Sequence, residues 1–319
     1  MPTPLLFLAA VLIWGSTFLV ITFQLGDVAP AISVFLRFAL GSAMLFAWCL
    51  ARHETIWITW RRQPWLMLQG LLNFGLSYVC TYHAENYLVS ALVAVLFALM
   101  VFWNALGARL CFGTRLGWHT LCAAAVAMCG VVMLFSQALT DAWHAAGSQA
   151  GGNAGFLLGL LLAVVATLSS SAGNMVAVMV GRKHDNNVFV TTAWAMGWGA
   201  LSVGIYALAT GQSWHLPASP VYWSAMLYLA LCGSVIAFTC YFTLINRIGP
   251  GKAAYTGVLT PVVSVLLSMR FEHYQPGAVG FAGMALCLAG VVWAISGKSA
   301  PLRLRAVRPS ESDCPASTG

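Results

Sequence analysis

Charge is what this sequence has least of. Only 7% of its 319 residues are Asp, Glu, Lys or Arg, and eight of them are acidic, whereas a soluble domain carries about 25% charged residues. So little charge cannot cover a water-facing surface, so a soluble fold is excluded and the solvent must be lipid. Catalytic apparatus is equally scarce. There is no H-E-x-x-H and no G-x-S-x-G, and the seven histidines are scattered. The nearest approach to a nucleophile, Ser169-Ser170-Ser171, has no base at helical spacing. An enzyme is therefore not expected. The nine cysteines, at 49, 80, 111, 122, 129, 232, 240, 287 and 314, include no C-x-x-C pair and fall mostly inside apolar stretches. They read as small buried hydrophobes, and neither a metal nor another cofactor is expected. No ring of like charge and no filter loop marks an ion channel. The first apolar run has neither a basic leader nor a clear cleavage site, so it is expected to be a retained helix rather than a signal peptide.

What is present is apolar and one-sided. The chain is 60% hydrophobic with a mean hydropathy of +0.83. Ten apolar runs occur at about 4–24, 30–50, 64–84, 87–108, 117–136, 155–180, 188–210, 220–245, 252–270 and 276–296. Each is about 20 residues, enough to cross roughly 30 Å of hydrocarbon as a helix. Backbone in lipid must bond to itself, and these runs do not alternate as barrel strands would. The expected fold is all-α and integral to the membrane. When the runs are connected alternately, thirteen of the fifteen Lys and Arg residues fall on one side. Arg37, inside a span, and Arg270 are the exceptions. The positive-inside rule then puts both termini in the cytoplasm of a multi-pass protein of the inner (plasma) membrane. The net charge of +7 is explained by this topology. The basic residues are spread over five segments without an aromatic platform, so no nucleic-acid partner is expected.

The longest connection, about 137–154, divides the chain into two five-helix halves. Five is odd, so the second half enters with opposite orientation. A shift of 160 positions places Asn86 on Asn246, Ala94 on Ala254 and Leu106 on Leu266. It also places Gly117 on Gly277, Ala125 on Ala285 and Gly130-Val131-Val132 on Gly290-Val291-Val292. The expected organisation is ten transmembrane helices as two inverted repeats, 1–136 and 155–297, followed by a basic disordered tail at 298–319. Such repeats mark secondary transporters with a substrate site near the midplane. Gly151, Gly155 and Gly159, and Gly277, Gly280, Gly283 and Gly290, have spacings that let helices approach closely. They serve either packing within one subunit or a homodimer contact.

Several motifs resemble the EamA-type family of the drug/metabolite transporter superfamily, over about 4–297. They are Trp14-Gly15-Ser16-Thr17-Phe18 in the first span and Phe35-Leu36-Arg37-Phe38 in the second. Thr260-Pro261-Val262 lies in the ninth, with Glu272 at its end, and each half closes on a glycine-rich helix. The resemblance implies ten helices in two inverted repeats and export of small solutes, often amino acids or related metabolites. The chain departs from the pattern at Thr114, where an acidic residue is frequent, and at Val101, which stands opposite Pro261.

Arg37 is the sharpest single candidate. It sits about seven residues into its span, roughly 10 Å along the helix, where a charge costs a few kcal/mol. It is either a counter-charge for substrate or a gate partner, or an arginine that snorkels or pairs with Asp27 or Glu85. In the ninth span Lys252, Thr256, Thr260, Ser264 and Ser268 form a stripe at i, i+4 spacing. Pro261 cannot donate to the carbonyl of Gly257, which frees that oxygen. The stripe suits a solute path, although hydroxyls also bond their own helix. Further candidate contacts are Trp14 with Thr17, Tyr78 with Tyr82, Trp194 with Trp198, Ser170 with Asn174, Tyr241 and Tyr255, together with the mid-span amides Asn73 and Asn104. Aromatics at these spacings also serve packing or anchor span ends. His83 and Glu85 are a titratable pair at one mouth, either a coupling site or a loop-edge pair. Proton antiport and facilitated diffusion are both open.

The expected function is transport of a small amphipathic solute across the bilayer by alternating access, with export favoured and uptake the alternative. The first four helices of each half are expected to line the path, with the fifth and tenth outside. A receptor or assembly factor would show no solute flux.

Overall fold

The computed structural model describes residues 1–26, 28–88, 90–113, 118–147, 152–183, 187–271 and 277–296. The expected tail at 298–319 lies outside the described residues, as do Asp27, Thr114, Gly151 and Glu272 and the side chain of Ser268. Among the described residues there are helices and turns and no strand. The helices are α1 (Thr3–Thr22), α2 (Pro30–Ala51), α3 (Gln63–Gly70), α4 (Ser77–Ala84), α5 (Ser90–Phe97), α6 (Met100–Phe112) and α7 (Trp118–Gly147). After them come α8 (Gly152–Lys183), α9 (Val188–Ala209), α10 (Pro220–Tyr228), α11 (Ala237–Ile248), α12 (Pro250–Ala253), α13 (Tyr255–Phe271) and α14 (Ala278–Ser296). Two π-helical segments, π1 (Leu71–Leu76) and π2 (Leu229–Ile236), join α3 to α4 and α10 to α11. Proline stands in the first turn of α1, α2, α3, α10 and α12, where its missing N–H costs nothing.

Six helical stretches are long and apolar enough to cross a membrane: Thr3–Thr22, Pro30–Ala51, Ala154–Gly181, Val188–Ala209, Pro220–Ile248 and Pro250–Phe271. Met100–Phe112, Leu121–Met133 and Ala278–Trp293 are shorter apolar helices. The molecule is built inside out relative to a soluble protein. Leu8 and Leu12 of α1 and Leu201, Ile205 and Leu208 of α9 face outward, while Arg37, Asn73, Asn104 and Asn174 are buried. Hydrocarbon outside and polar groups inside is the arrangement lipid requires.

Four boundaries differ from the sequence reading. The expected connection at 137–154 is shorter, because α7 continues to Gly147. Residues 137–147 are rich in Ala and contain no Pro, so they propagate the helix. The expected span 87–108 is broken at Ala98–Leu99, between α5 and α6. The expected span 252–270 is divided at Ala254, between α12 and α13. The third and eighth runs each carry a π segment, and these end at Leu76 and Ile236, 160 positions apart.

The elements pack in related sets. α2 lies against α9 and α7 against α14, while α1 contacts α11 and α13, and α8 contacts α4 and α6. The α7–α14 seam is closed by small residues. A Cβ added at Gly130 would meet the Cys287 nitrogen at 2.5 Å, and one added at Gly290 would meet the Ala127 nitrogen at 2.6 Å. The Cys287 thiol donates to the Ala127 carbonyl at 3.3 Å. Gly159 receives Tyr87 and Leu88 in the same way. These glycines are therefore engaged within the subunit, where backbones at contact gain van der Waals energy that lipid does not supply.

Candidate functional site

A cavity of about 50 Å3 lies among α1, α4, α5, α6, α8, α11 and α13. Trp14, Thr17, Phe18 and Ile21 fall on one face of α1, at helical spacing, and line it together. Tyr78 and Thr81 of α4, Ser170 of α8, Phe238 and Tyr241 of α11, and Gly257 and Thr260 of α13 complete much of the wall. Phe97 and Met100 also line it, and they flank the break between α5 and α6. Trp14 is held edge-on to Phe238 and Tyr241, at centroid distances of 5.1 and 5.0 Å. Gly15, beside it, lets α1 meet α13: a Cβ there would lie 2.5 Å from Val263.

Backbone groups are freed around this cavity. Pro261 lies inside α13 and has no N–H for the Gly257 carbonyl, one turn back on the cavity wall. π2 turns the Gly233 carbonyl sideways to accept from Trp14 Nε1 at 3.2 Å. Irregular backbone at membrane depth is tolerated where it lines a cavity, and π segments concentrate at functional sites.

Two polar networks stand behind the wall. In the first, Asn104 Nδ2 and Asn174 Nδ2 donate to the Tyr241 hydroxyl at 3.3 and 3.0 Å, and Asn174 also donates to Asn104 Oδ1. Asn104 is thus part of a triad rather than an isolated amide. Asn73 is likewise engaged, accepting from Ser170 at 3.3 Å. In the second, Arg37 is 0% exposed, which overturns the snorkelling reading. Its Nε donates to Ser234 Oγ at 3.0 Å and its Nη1 to Tyr82 OH at 3.5 Å. Its guanidinium carbon lies 4.8 Å from the centroid of the Tyr78 ring. Tyr82 donates onward to Gln24 at 3.0 Å. Among the described residues Arg37 Nη2 and Gln24 Nε2 are buried without a partner.

Of the expected contacts, Trp14, Thr17, Tyr78, Ser170, Tyr241 and Thr260 line the cavity directly. Arg37, Tyr82, Asn104 and Asn174 support it from one layer behind. Pro261 and Thr256 adjoin Thr260 on α13, and the stripe is partly closed on itself, since Thr260 donates to the Thr256 carbonyl and Thr256 to that of Ala253. Four expectations fall elsewhere. Trp194 donates to the Ile56 carbonyl and Trp198 to Gln63, so both pin the 52–62 segment and the start of α3. Tyr255 is packed with Val101, Ala123 and Cys287. Ser264 is buried farther along α13, off the cavity wall. Among the described residues, α2 and α9, expected along the path, contribute nothing to this wall.

His83 and Glu85 close α4. Glu85 caps the helix in the turn toward α5. Both its oxygens are buried without a hydrogen-bond partner among the described residues. Burial holds its carboxyl well above the ordinary carboxylate range, against the opposing pull of Arg37.

Phe18, Ile21, Thr81, Phe97, Met100 and Phe238 are cavity residues the sequence reading did not place on the path, whereas the freed Gly257 carbonyl was expected there. The i, i+3, i+4, i+7 series Trp14, Thr17, Phe18, Ile21 carried the signal for two of them; the break after Phe97 left none.

Known proteins resemble this chain over most of its length. The profile of the EamA-like transporter family matches residues 1–136 and 157–296. Protein PecM of Dickeya dadantii (strain 3937) is 24% identical over 303 residues, covering 95% of each chain. The Escherichia coli (strain K12) protein named as the uncharacterized inner membrane transporter YedA is 25% identical, covering 91% of this chain and 89% of its own. A solved crystal structure superposes with a TM-score of 0.70 at 20% identity, over 92% of this chain and 96% of that one. At that identity the likeness concerns the fold alone.

Proposed function

The chain belongs to the EamA-like transporter family, and on that footing we propose that it is a secondary transporter that exports small amphipathic metabolites, such as amino acids, by alternating access. It is a membrane transporter by family; substrate class, direction and cycle are our reading. The observation that carries it is the cavity itself. Its wall is drawn from helices of both matched segments, and it is flanked by the α5–α6 break and by the Gly257 carbonyl that Pro261 leaves without its usual donor. Discontinuous helices facing a common site are how secondary transporters bind and release solutes.

In this reading ten membrane-spanning helices form two inverted five-helix repeats around the cavity, in the inner membrane, with both termini cytoplasmic. Three observations support it. The family profile matches twice. The π segments end 160 positions apart. The Gly130–Cys287 and Gly290–Ala127 contacts are related by the same offset. Aromatic faces from Trp14, Tyr78, Phe238 and Tyr241 receive the apolar part of the solute, while Thr17, Ser170, Thr260 and the Gly257 carbonyl address its polar part. Arg37 holds the Tyr78 and Tyr82 side of the wall against π2 and sets the field there, without itself lining the cavity.

The test is efflux of a labelled amino-acid and metabolite panel from cells expressing the protein, repeated in proteoliposomes. Saturable flux of at least one panel member is expected. Correctly folded protein that moves nothing in either direction would falsify the reading.

A further inference from the structure

The segment between α2 and α3, residues 52–62, is fixed although it has no regular structure. Its backbone is closed at both ends. The Glu54 N–H donates to the Cys49 carbonyl at 2.9 Å, and the Arg62 N–H to that of Thr59 at 2.8 Å. Between these points the Ile56 carbonyl accepts from Trp194 of α9 at 2.9 Å. Ile58 packs into the cluster of Leu66, Val176 and Val180, which Trp194 and Trp198 also join.

Pinning one side of an extended segment decides what the other side presents. Successive side chains in such a segment point to opposite sides. Ile56 and Ile58 are half-buried, and Trp57 between them turns outward. Trp57 is 81% exposed, and Trp60, in the turn that follows, is 83% exposed. Arg52 and Arg61 are exposed beside them, and the segment carries three arginines against one glutamate. The connection between α9 and α10, at 210–219, holds the same place in the second matched segment. It contains no Lys or Arg, and its Trp214 lies edge-on to Phe35 at 5.4 Å. Outward indoles joined to arginines are therefore a property of 52–62 and not of both connections.

The neighbour that suits this surface is a phospholipid headgroup. α2 is long and apolar enough to cross the membrane and ends at Ala51, so the segment begins at headgroup depth. An indole has an apolar body and one N–H. Water is a poor solvent for the first and hydrocarbon for the second, whereas the headgroup layer accepts both. A guanidinium matches a phosphate with two parallel N–H bonds. A zwitterionic headgroup brings its own ammonium, which offsets that attraction; an anionic headgroup does not.

We propose that residues 52–62 are a docking surface for anionic phospholipid, with Trp57 and Trp60 seated in the headgroup layer and Arg52 and Arg61 holding its phosphates. This rests on the chain being embedded in a bilayer and is independent of which solute it carries.

The experiment is fluorescence quenching of the full chain reconstituted in phosphatidylcholine. A minor share of the lipid is either phosphatidylglycerol or phosphatidylcholine brominated near the glycerol end of its chains. Subtracting Trp57→Phe/Trp60→Phe from wild type isolates the two indoles. Brominated phosphatidylglycerol is expected to quench that signal about threefold more strongly than the same share of brominated phosphatidylcholine. Arg52→Gln/Arg61→Gln should bring the two lipids level in protein that melts like wild type. A Trp214 signal, isolated in the same way with Trp214→Phe, should show no preference. The proposal is overturned if the two lipids quench Trp57 and Trp60 equally, if the preference survives loss of both arginines, or if Trp214 shares it. It is overturned equally if inorganic phosphate at constant ionic strength abolishes the preference, which would make free phosphate the ligand. Quenching that emerges only when the protein is diluted in lipid would overturn it too, with a second copy as the occupant. Quenching reads proximity rather than flux, so failure here leaves the transporter reading standing, and absence of efflux leaves the quenching unaltered.

Discussion

Arg37 donates to Ser234 across 3.0 Å and so ties α2 to π2. Ser234 in turn donates to the Leu229 carbonyl, five residues back in its own segment. The bond thus reports on the π geometry as well as on the arginine. Ser234→Ala leaves a buried guanidinium nitrogen without its acceptor, at a cost of about 1–3 kcal/mol. A lower melting temperature in detergent is expected, with reduced efflux. Arg37→Ala should abolish efflux at matched expression; if flux is undiminished, Arg37 has no part in the cycle.

Tyr241 accepts from two amides at once. Tyr241→Phe keeps the ring against Trp14 and removes the acceptor shared by Asn104 and Asn174, leaving them only the Pro250 carbonyl and Asn104 Oδ1, at about 1 kcal/mol for each bond lost. Because the ring wall survives, the change should appear mainly as a higher KM for the solute in proteoliposomes. A proportional fall in kcat with KM constant would place the triad in the moving parts instead.

Pro261→Ala supplies the missing N–H to Gly257. A proline in a helix interior costs up to about 3 kcal/mol, so the variant should melt higher. It also removes the free carbonyl from the cavity, so efflux should fall. A variant that is more stable and equally active would show that the carbonyl is a structural by-product.

Glu85 gives a pH dependence of known sign. Its native carboxyl titrates well above the ordinary value because it is buried. Over the window between the two values the native protein keeps a proton that the unfolded chain has released. Stability therefore declines as pH rises through that window. Glu85→Gln should flatten the decline in melting temperature measured from pH 5 upward. A wild-type melting temperature that rises with pH across the same range would contradict the assignment.

Much of the architecture was legible because lipid imposes it. Apolar runs of span length and an all-helical backbone both follow from solvation by lipid. The cavity was legible where polar and aromatic groups recur on one helix face, as with Trp14 and Thr17. It was opaque where backbone geometry decides. Nothing in Leu71–Leu76 or Leu229–Ile236 announces a π segment, since the extra residue per turn is set by tertiary contacts such as Trp14 with Gly233. Trp194 and Trp198 misled for the converse reason. Their spacing defines a shared face, but spacing alone does not say whether that face meets a cavity or a neighbouring segment.

The seam between α7 and α14 has one more consequence. Gly130 seats Cys287, and Gly290 seats Ala127, so each surface offers the other a glycine socket and a small knob, a thiol on one side and a methyl on the other. A self-complementary interface of this kind is ordinarily met between two copies of a protein; here one polypeptide closes it on itself. A methyl added at position 130 or at position 290 meets backbone of the facing helix, so either one alone forces the two helices apart, and together they overfill two sockets rather than one.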